Sequence, residues 1–322
     1  MRRPRTPRST LLGVLVAAFV GLGLFASPAP AGAQTPTATP VAPATPVVPA
    51  PPAPPAPPVA TATPSMAALQ TELQRLVNAT KVGGDYAVAV TDLQTGDTIS
   101  VNGDRPHLAA CSVNLFVLMQ AMLDLQSGRV REEQVGTLMA RTIFASNAVT
   151  AYSLYGVLGD GDVLRGVRRV TTLINRLGMK DTILDHPPGF ARPSVGINPN
   201  NWTTALDMNR GLKAIWDGPI LETKWRDDFL ERLVKVKPGL NYLTAVVPGE
   251  VSHKNGFFQA SDRTYVDNDS AIVRFTHEGR EYAYAITFLS QWVPTKYADV
   301  PLGQSLAMTT WAFFQDRYAS GK

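Results

Sequence analysis

Apolar residues recur at helical spacing across residues 66–78 (Leu69, Leu73, Leu76, Val77), which predicts an amphipathic helix. The period then drops to two. Tyr86, Val88 and Val90 alternate with their neighbours over 85–92, and Ile99 and Val101 do so over 98–102, with the turn-forming Gln94-Thr95-Gly96-Asp97 between them. That is a hairpin. The next stretch, Cys111 to Ser127, is apolar on nearly every side, interrupted by Gln120 and Asp124 and closed by Gly128. A helix apolar all round is a buried one. Gly128 suits a left-handed cap, with Arg129 and Arg131 near the negative end of the dipole.

Five further helical patterns follow, at 135–144, 149–156, 163–177, 203–216 and 221–234. A loop rich in proline and glycine, 181–201, separates the third from the fourth; a loop of that length in a compact domain is often functional. After Pro238-Gly239 the strand period returns at 251–254, 270–276 and 282–289, with His277-Glu278-Gly279-Arg280 turning the last two into a hairpin, and 302–314 closes the pattern as a helix. Strands from both ends of this order can share one sheet. The expected fold is therefore α+β: an antiparallel sheet flanked by the terminal helices, with an all-helical subdomain inserted.

The N-terminal end has a different character. Arg2, Arg3, Arg5 and Arg8 precede an apolar run from Leu11 to Ala26 and the small-residue site Ala31-Gly32-Ala33, the layout of a secretory signal over residues 1–33. Residues 34–64 form an uncharged tract of proline, alanine and threonine, a stiff spacer without the means to build a core. The expected domain is 65–322, exported, with no membrane span in the mature chain and an association with wall or membrane through the N-terminal segment. Four of the 30 basic residues lie in the signal, which leaves 26 bases against 26 acids beyond it. This balance argues against nucleic acid as a partner. The four histidines show no metal-ligand spacing, so neither a metal nor a cofactor is expected. The single cysteine excludes an internal disulfide and leaves one thiol, Cys111, to account for. That thiol stands at the start of the buried helix, where backbone donors and the dipole favour a developing anion.

Three short segments give the thiol a context: Cys111-Ser112-Val113-Asn114 at the helix start, Ala145-Ser146-Asn147 in the helical block and Lys254-Asn255-Gly256 on a strand. In order and spacing they resemble the S-x-x-K, S-D-N and K-T-G segments of the class A β-lactamase and penicillin-binding family of serine hydrolases. Supporting matches are Leu177-Gly178-Met179, Thr203-Thr204-Ala205 with Asp207-Met208, and Asp269-Ser270-Ala271-Ile272-Val273. The resemblance covers essentially all of 65–322. It implies catalytic positions at Cys111, Ser112, Asn114 and Ser146, and substrate-binding positions at Asn147, Lys254, Asn255 and Gly256.

The chemistry departs from the pattern. Cys111 stands in the serine's place and Asn114 in the lysine's, and an amide takes no proton at ordinary pH. Sliding the register to Ser112 puts Leu115 where the lysine should be. Ala145 replaces the serine of the middle segment. The loop 181–201 lacks the glutamate with which class A enzymes activate the deacylating water; Asp181 and Asp185 are its only acids and read as turn or cap residues. The resemblance thus implies an exported, catalytically impaired homologue that holds a carboxylated peptide, a cell-wall fragment or a β-lactam-like molecule. Two alternatives stay open: an acyl hydrolase or transferase with Cys111 as nucleophile, and a divergent serine β-lactamase or D,D-peptidase.

Overall fold

A computed structural model describes residues 63–218 and 220–319. The expected signal, and the spacer up to residue 62, lie outside the described residues. The elements run α1 (Met66–Ala79), β1 (Asp85–Asp92), β2 (Thr98–Val101), β3 (His107–Leu108), a 3-10 turn (Ala110–Val113), α2 (Asn114–Gln126), α3 (Glu132–Ala145), α4 (Ala148–Leu158), α5 (Val163–Arg176), β4 (Trp202–Thr203), α6 (Ala205–Asp217), α7 (Thr223–Leu233), a second 3-10 turn (Thr244–Val246), β5 (Glu250–Gln259), β6 (Tyr265–His277), β7 (Arg280–Gln291) and α8 (Val300–Ala319).

Five strands form one antiparallel sheet in the order β2-β1-β7-β6-β5, and β3 and β4 make a small ladder of their own. The first strand therefore pairs with the last, from Asp85 opposite Gln291 to Asp92 opposite Tyr284. The helical block is inserted between β3 and β5, and the α+β arrangement expected from the pattern is the observed one.

Strand alternation divides the core in two. One side of the sheet offers Ile272, Ala283 and Ala285 to α2 and its neighbours, where Phe116, Leu118, Met119 and Met122 are fully buried. The other offers Val88, Val273, Tyr284, Ile286 and Phe288 to α1 and α8, through Leu69, Leu73, Leu306 and Phe314. Tyr284 stacks on Phe314 with centroids 4.4 Å apart. Each such side chain removed from water is worth about 1.5–3 kcal/mol.

Two boundaries differ from expectation. The buried helix begins as a 3-10 turn and becomes α-helical only at Asn114. Strand β6 starts at Tyr265, five residues before the expected start at Ser270, because the polar run Asp267-Asn268-Asp269 pairs with β5 in full register. The residues of this polar run are buried on both faces of the strand.

Candidate active site

The site forms where the start of α2 meets the edge strand β5. Ala110 takes the left-handed conformation, φ 49°. A non-glycine residue pays a penalty of about 1–2 kcal/mol there, and the strained turn presents the next side chain, Cys111. Strand β5 presses on this turn backbone to backbone: a Cβ on Gly256 would lie 2.5 Å from the Ser112 nitrogen and 2.6 Å from that of Cys111. Glycine at 256 is the condition for that approach.

Cys111 is half-buried and lines a cleft of about 380 Å³. Its other walls come from Leu108 and Ala110, from Ser146 and Ala148, from His186, Pro188, Gly189, Asn200 and Asn201 of the long loop, and from Phe257 and Phe258 of β5. A larger groove of about 500 Å³ beside α3 includes neither the thiol nor Lys254.

Lys254 is fully buried. Its Nζ donates to the Ser146 hydroxyl and, at 2.6 Å, to the Asn255 carbonyl. Burial pushes the amine down to about 8, while the charges of Cys111 and Asp269 act in the opposite direction. The thiol and the amine thus lie within electrostatic reach of one another. Ser146 meets Lys254 because it ends α3 in the left-handed conformation, φ 51° and ψ 38°. Its hydroxyl also lies 3.4 Å from the Asn255 carbonyl. The sequence has alanine where the serine of the middle segment belongs, and the hydroxyl one residue later reaches the amine.

The remaining candidates fall elsewhere. Ser112 is fully buried and donates to the Ala109 carbonyl at 2.6 Å, so it does not line the cleft. Asn147 is exposed, and its side chain caps α4 by accepting from the Thr150 amide at 3.0 Å. Asn114 is fully buried, and neither its amide nitrogen nor its oxygen has a partner among the described residues. Asn255 contributes its carbonyl to Lys254, and its own Oδ1 has no partner among the described residues. The Lys254 amine, expected to hold a ligand carboxylate, is buried and donates to Ser146 of the cleft wall and to the Asn255 carbonyl.

Two residues near the thiol lie outside the sequence candidates. Tyr155 of α4 is fully buried with a hydroxyl that lacks a partner, and burial, then the charge of Cys111, push its pKa up. A lone tyrosine in an apolar helix looks like core. His186 was weighed only for metal spacing, although a histidine inside a proline-rich loop was a pointer. Neither acid of that loop lines the cleft. Asp185 is buried, and although burial pushes it up, the Ser194 hydroxyl and the amides of Asn198 and Ile197 hold it below its ordinary range. Asp181 donates its amide to Asp207 at 2.8 Å.

A family model described as the β-lactamase enzyme family matches residues 68–158 and 134–313 of the chain. Among solved structures, a β-lactamase from Chitinophaga pinensis DSM 2588 superposes with a TM-score of 0.64 at 17% identity, over 76% of this chain and 98% of that one. PBP-A gives 0.63 at 16%, over 79% and 99%. An ancestral class A β-lactamase gives 0.61 at 20%, over 76% and 99%. Likeness at these identities concerns the fold. No curated protein matches the chain by sequence.

Proposed function

This chain belongs to the β-lactamase enzyme family, and on that premise we propose that it captures acyl groups on Cys111 from a β-lactam or a wall-type peptide and releases them slowly. The observation that carries this reading is the buried Lys254 amine, bonded to the Ser146 hydroxyl of the cleft that Cys111 lines, lowered to about 8 and within electrostatic reach of the thiol. It supplies the proton acceptor that Asn114 cannot. The neutral amine takes the thiol proton, and sulfur attacks the ligand carbonyl. The ammonium then returns the proton through the Ser146 hydroxyl to the departing nitrogen, leaving a thioester. Acylation accordingly rises with pH and levels off above about 8, as Lys254 loses its proton. A variant of PBP-A held as an acyl-enzyme with penicillin G gives the fold a precedent for such an adduct. Slow release follows from the acids of the 181–201 loop, neither of which lines the cleft.

Export through residues 1–33, with the proline-rich spacer holding the domain off a surface, belongs to the same proposal. A second reading, binding without chemistry, is favoured by the amide at Asn114, which neither gives nor takes a proton where the family has a lysine.

Intact-mass measurement of the protein incubated with benzylpenicillin at pH 8 separates the two. The capture reading expects one adduct, absent in Cys111→Ala and formed at least about a hundredfold more slowly in Lys254→Met. Saturable binding with no adduct would leave only the second reading.

A further inference from the structure

The cleft around the thiol is walled largely by hydrocarbon. Leu108, Ala110, Ala148, Pro188, Phe257 and Phe258 supply its apolar part. No lysine, arginine, aspartate or glutamate lines it. Two cations belong to neighbouring segments, and neither joins the lining. The Lys254 amine is buried and donates to the Ser146 hydroxyl and the Asn255 carbonyl. Lys296 lies over the rings of Phe257 and Tyr297, its Nζ 5.4 and 4.8 Å from their centroids. The Phe257 ring also packs against Tyr265 and Tyr297, with centroids 6.0 and 5.0 Å away, so other rings hold it in place.

Most polar groups of the lining are already bonded within the protein. The Asn201 Nδ2 donates to the His186 carbonyl at 2.9 Å, and the Asn201 Oδ1 accepts from the amides of Asp185 at 2.7 Å and His186 at 3.3 Å. The two ring nitrogens of His186 each stand 3.3 Å from a carbonyl of their own loop, those of Pro187 and Pro199. The Ser146 hydroxyl takes the Lys254 bond. Besides the thiol and the exposed Asn200, an incoming group meets carbon, in a volume of about 380 Å³ that suits a small molecule. A carboxylate placed there gives up water and gains no cation, whereas a methylene or phenyl group is stabilised by leaving water.

We propose that the groups captured on Cys111 are uncharged and apolar, short aliphatic or aryl acyl groups delivered as esters or thioesters, with Phe257 and Phe258 as the wall that selects them. The sulfur bonds to the carbonyl carbon, the C–O or C–S bond to the leaving group breaks, and the thiol proton reaches that group by way of Lys254 and Ser146. The inference rests on the thiol-acylation reading above and narrows its acyl group. A β-lactam with an aryl side chain meets half of the preference, because its carboxylate has no cation to join on the cleft wall.

The test uses the full chain and 4-nitrophenyl esters, with nitrophenolate release giving the rate and intact mass the acyl group on Cys111. All rates are taken relative to the same esters reacting with N-acetylcysteine. From acetate through butanoate to hexanoate, the second-order rate of acylation is expected to rise about fourfold per methylene. 4-Nitrophenyl phenylacetate is expected to react at least about tenfold faster than its ring-carboxylated analogue. At least one of Phe257→Ala and Phe258→Ala should lower the rise to about twofold or less per methylene. That ratio is formed within each variant, so a general loss of reactivity does not imitate the effect. A flat series, a carboxylated ester that reacts as fast as the neutral one, or a rise that both substitutions leave intact overturns the proposal while leaving the thiol chemistry in place. Absence of an acyl group on Cys111 with every ester removes the acylation reading, and this inference with it.

Discussion

The strand pair β5–β6 buries charge on both of its faces, and the two faces treat it differently. Toward α2 lies Lys254, a lone cation whose hydrogen bonds run to Ser146 and Asn255 at the edge of an open cleft. Toward α1 and α8 lie the acids. Asp269 is fully satisfied, accepting from the Thr244 amide and hydroxyl at 3.1 and 2.8 Å, with the His253 Nδ1 at 2.9 Å. Asp267 has only the Tyr242 hydroxyl, at 2.9 Å, on one oxygen and nothing on the other. Burial and the charge of Asp299 push Asp267 up to about 8, and burial pushes Asp299 up too. A charge buried beside a cleft can meet a ligand. A charge buried under helices weighs only on stability, so the acid face marks a cost of the fold and the lysine face marks its chemistry.

Stability measured against pH should separate the faces most sharply. Asp267 keeps its proton in the folded protein up to about pH 8, while the unfolded chain releases it near pH 4. Folding therefore binds a proton across that window, and this group makes stability fall as pH rises from about 4 to 8, by on the order of 3–5 kcal/mol. Urea unfolding at pH 5, 7 and 9 should show Asp267→Asn gaining most at pH 9. Curves that stay parallel to those of the unsubstituted protein would dissolve the contrast.

Lys254 works with the opposite sign and at higher pH. Its amine loses the proton near pH 8 in the folded protein and near 10.5 in the unfolded one. The charged amine burdens the fold below pH 8, and stability climbs as pH rises from about 8 to 10.5. Lys254→Met should gain about 2 kcal/mol at pH 7 and lose that alkaline climb. A loss of stability at pH 7 would mean that the bonds to Ser146 and Asn255 outweigh the burial.

The smallest effect belongs to Asn114, whose two polar atoms have no partner. Replacement by leucine should stabilise by about 1 kcal/mol, read from the midpoint of a urea titration with an unchanged slope. Destabilisation would point to bonding that the amide makes through solvent.

Much of this was legible in the chain. Periodicity placed the sheet, both terminal helices and the inserted helical block, and the order of the three short segments brought Cys111, Ser146 and Lys254 to one place. The remainder was hidden for identifiable reasons. Segment matching set Ser146 against the family's aspartate; its contact with Lys254 depends on a left-handed backbone at the end of α3, which composition does not encode. His186 belongs to no spacing pattern, since its position comes from a loop folded around Asp185 and Asn201. The first five residues of β6 were hidden by Asp267 and Asp269, since buried acids are rare and a pair of them masks a core strand. The depth of Lys254 was hidden too, because residue identity does not specify burial.

The neighbours Lys254 and Asn255 point to opposite sides of the sheet. Which compartment receives the amine is decided by whether its place along β5 counts as odd or even. Deleting one residue between Val251 and Lys254, with the start of the strand held in place, would swing the ammonium to the face of Asp267 and Asp269 and carry the amide of Asn255 to the thiol. Such a chain would keep its composition and most of its fold, bury a neutralised cluster and have no proton acceptor beside sulfur. In a deletion scan of this strand, single losses should silence the thiol and paired losses should spare more of its reactivity.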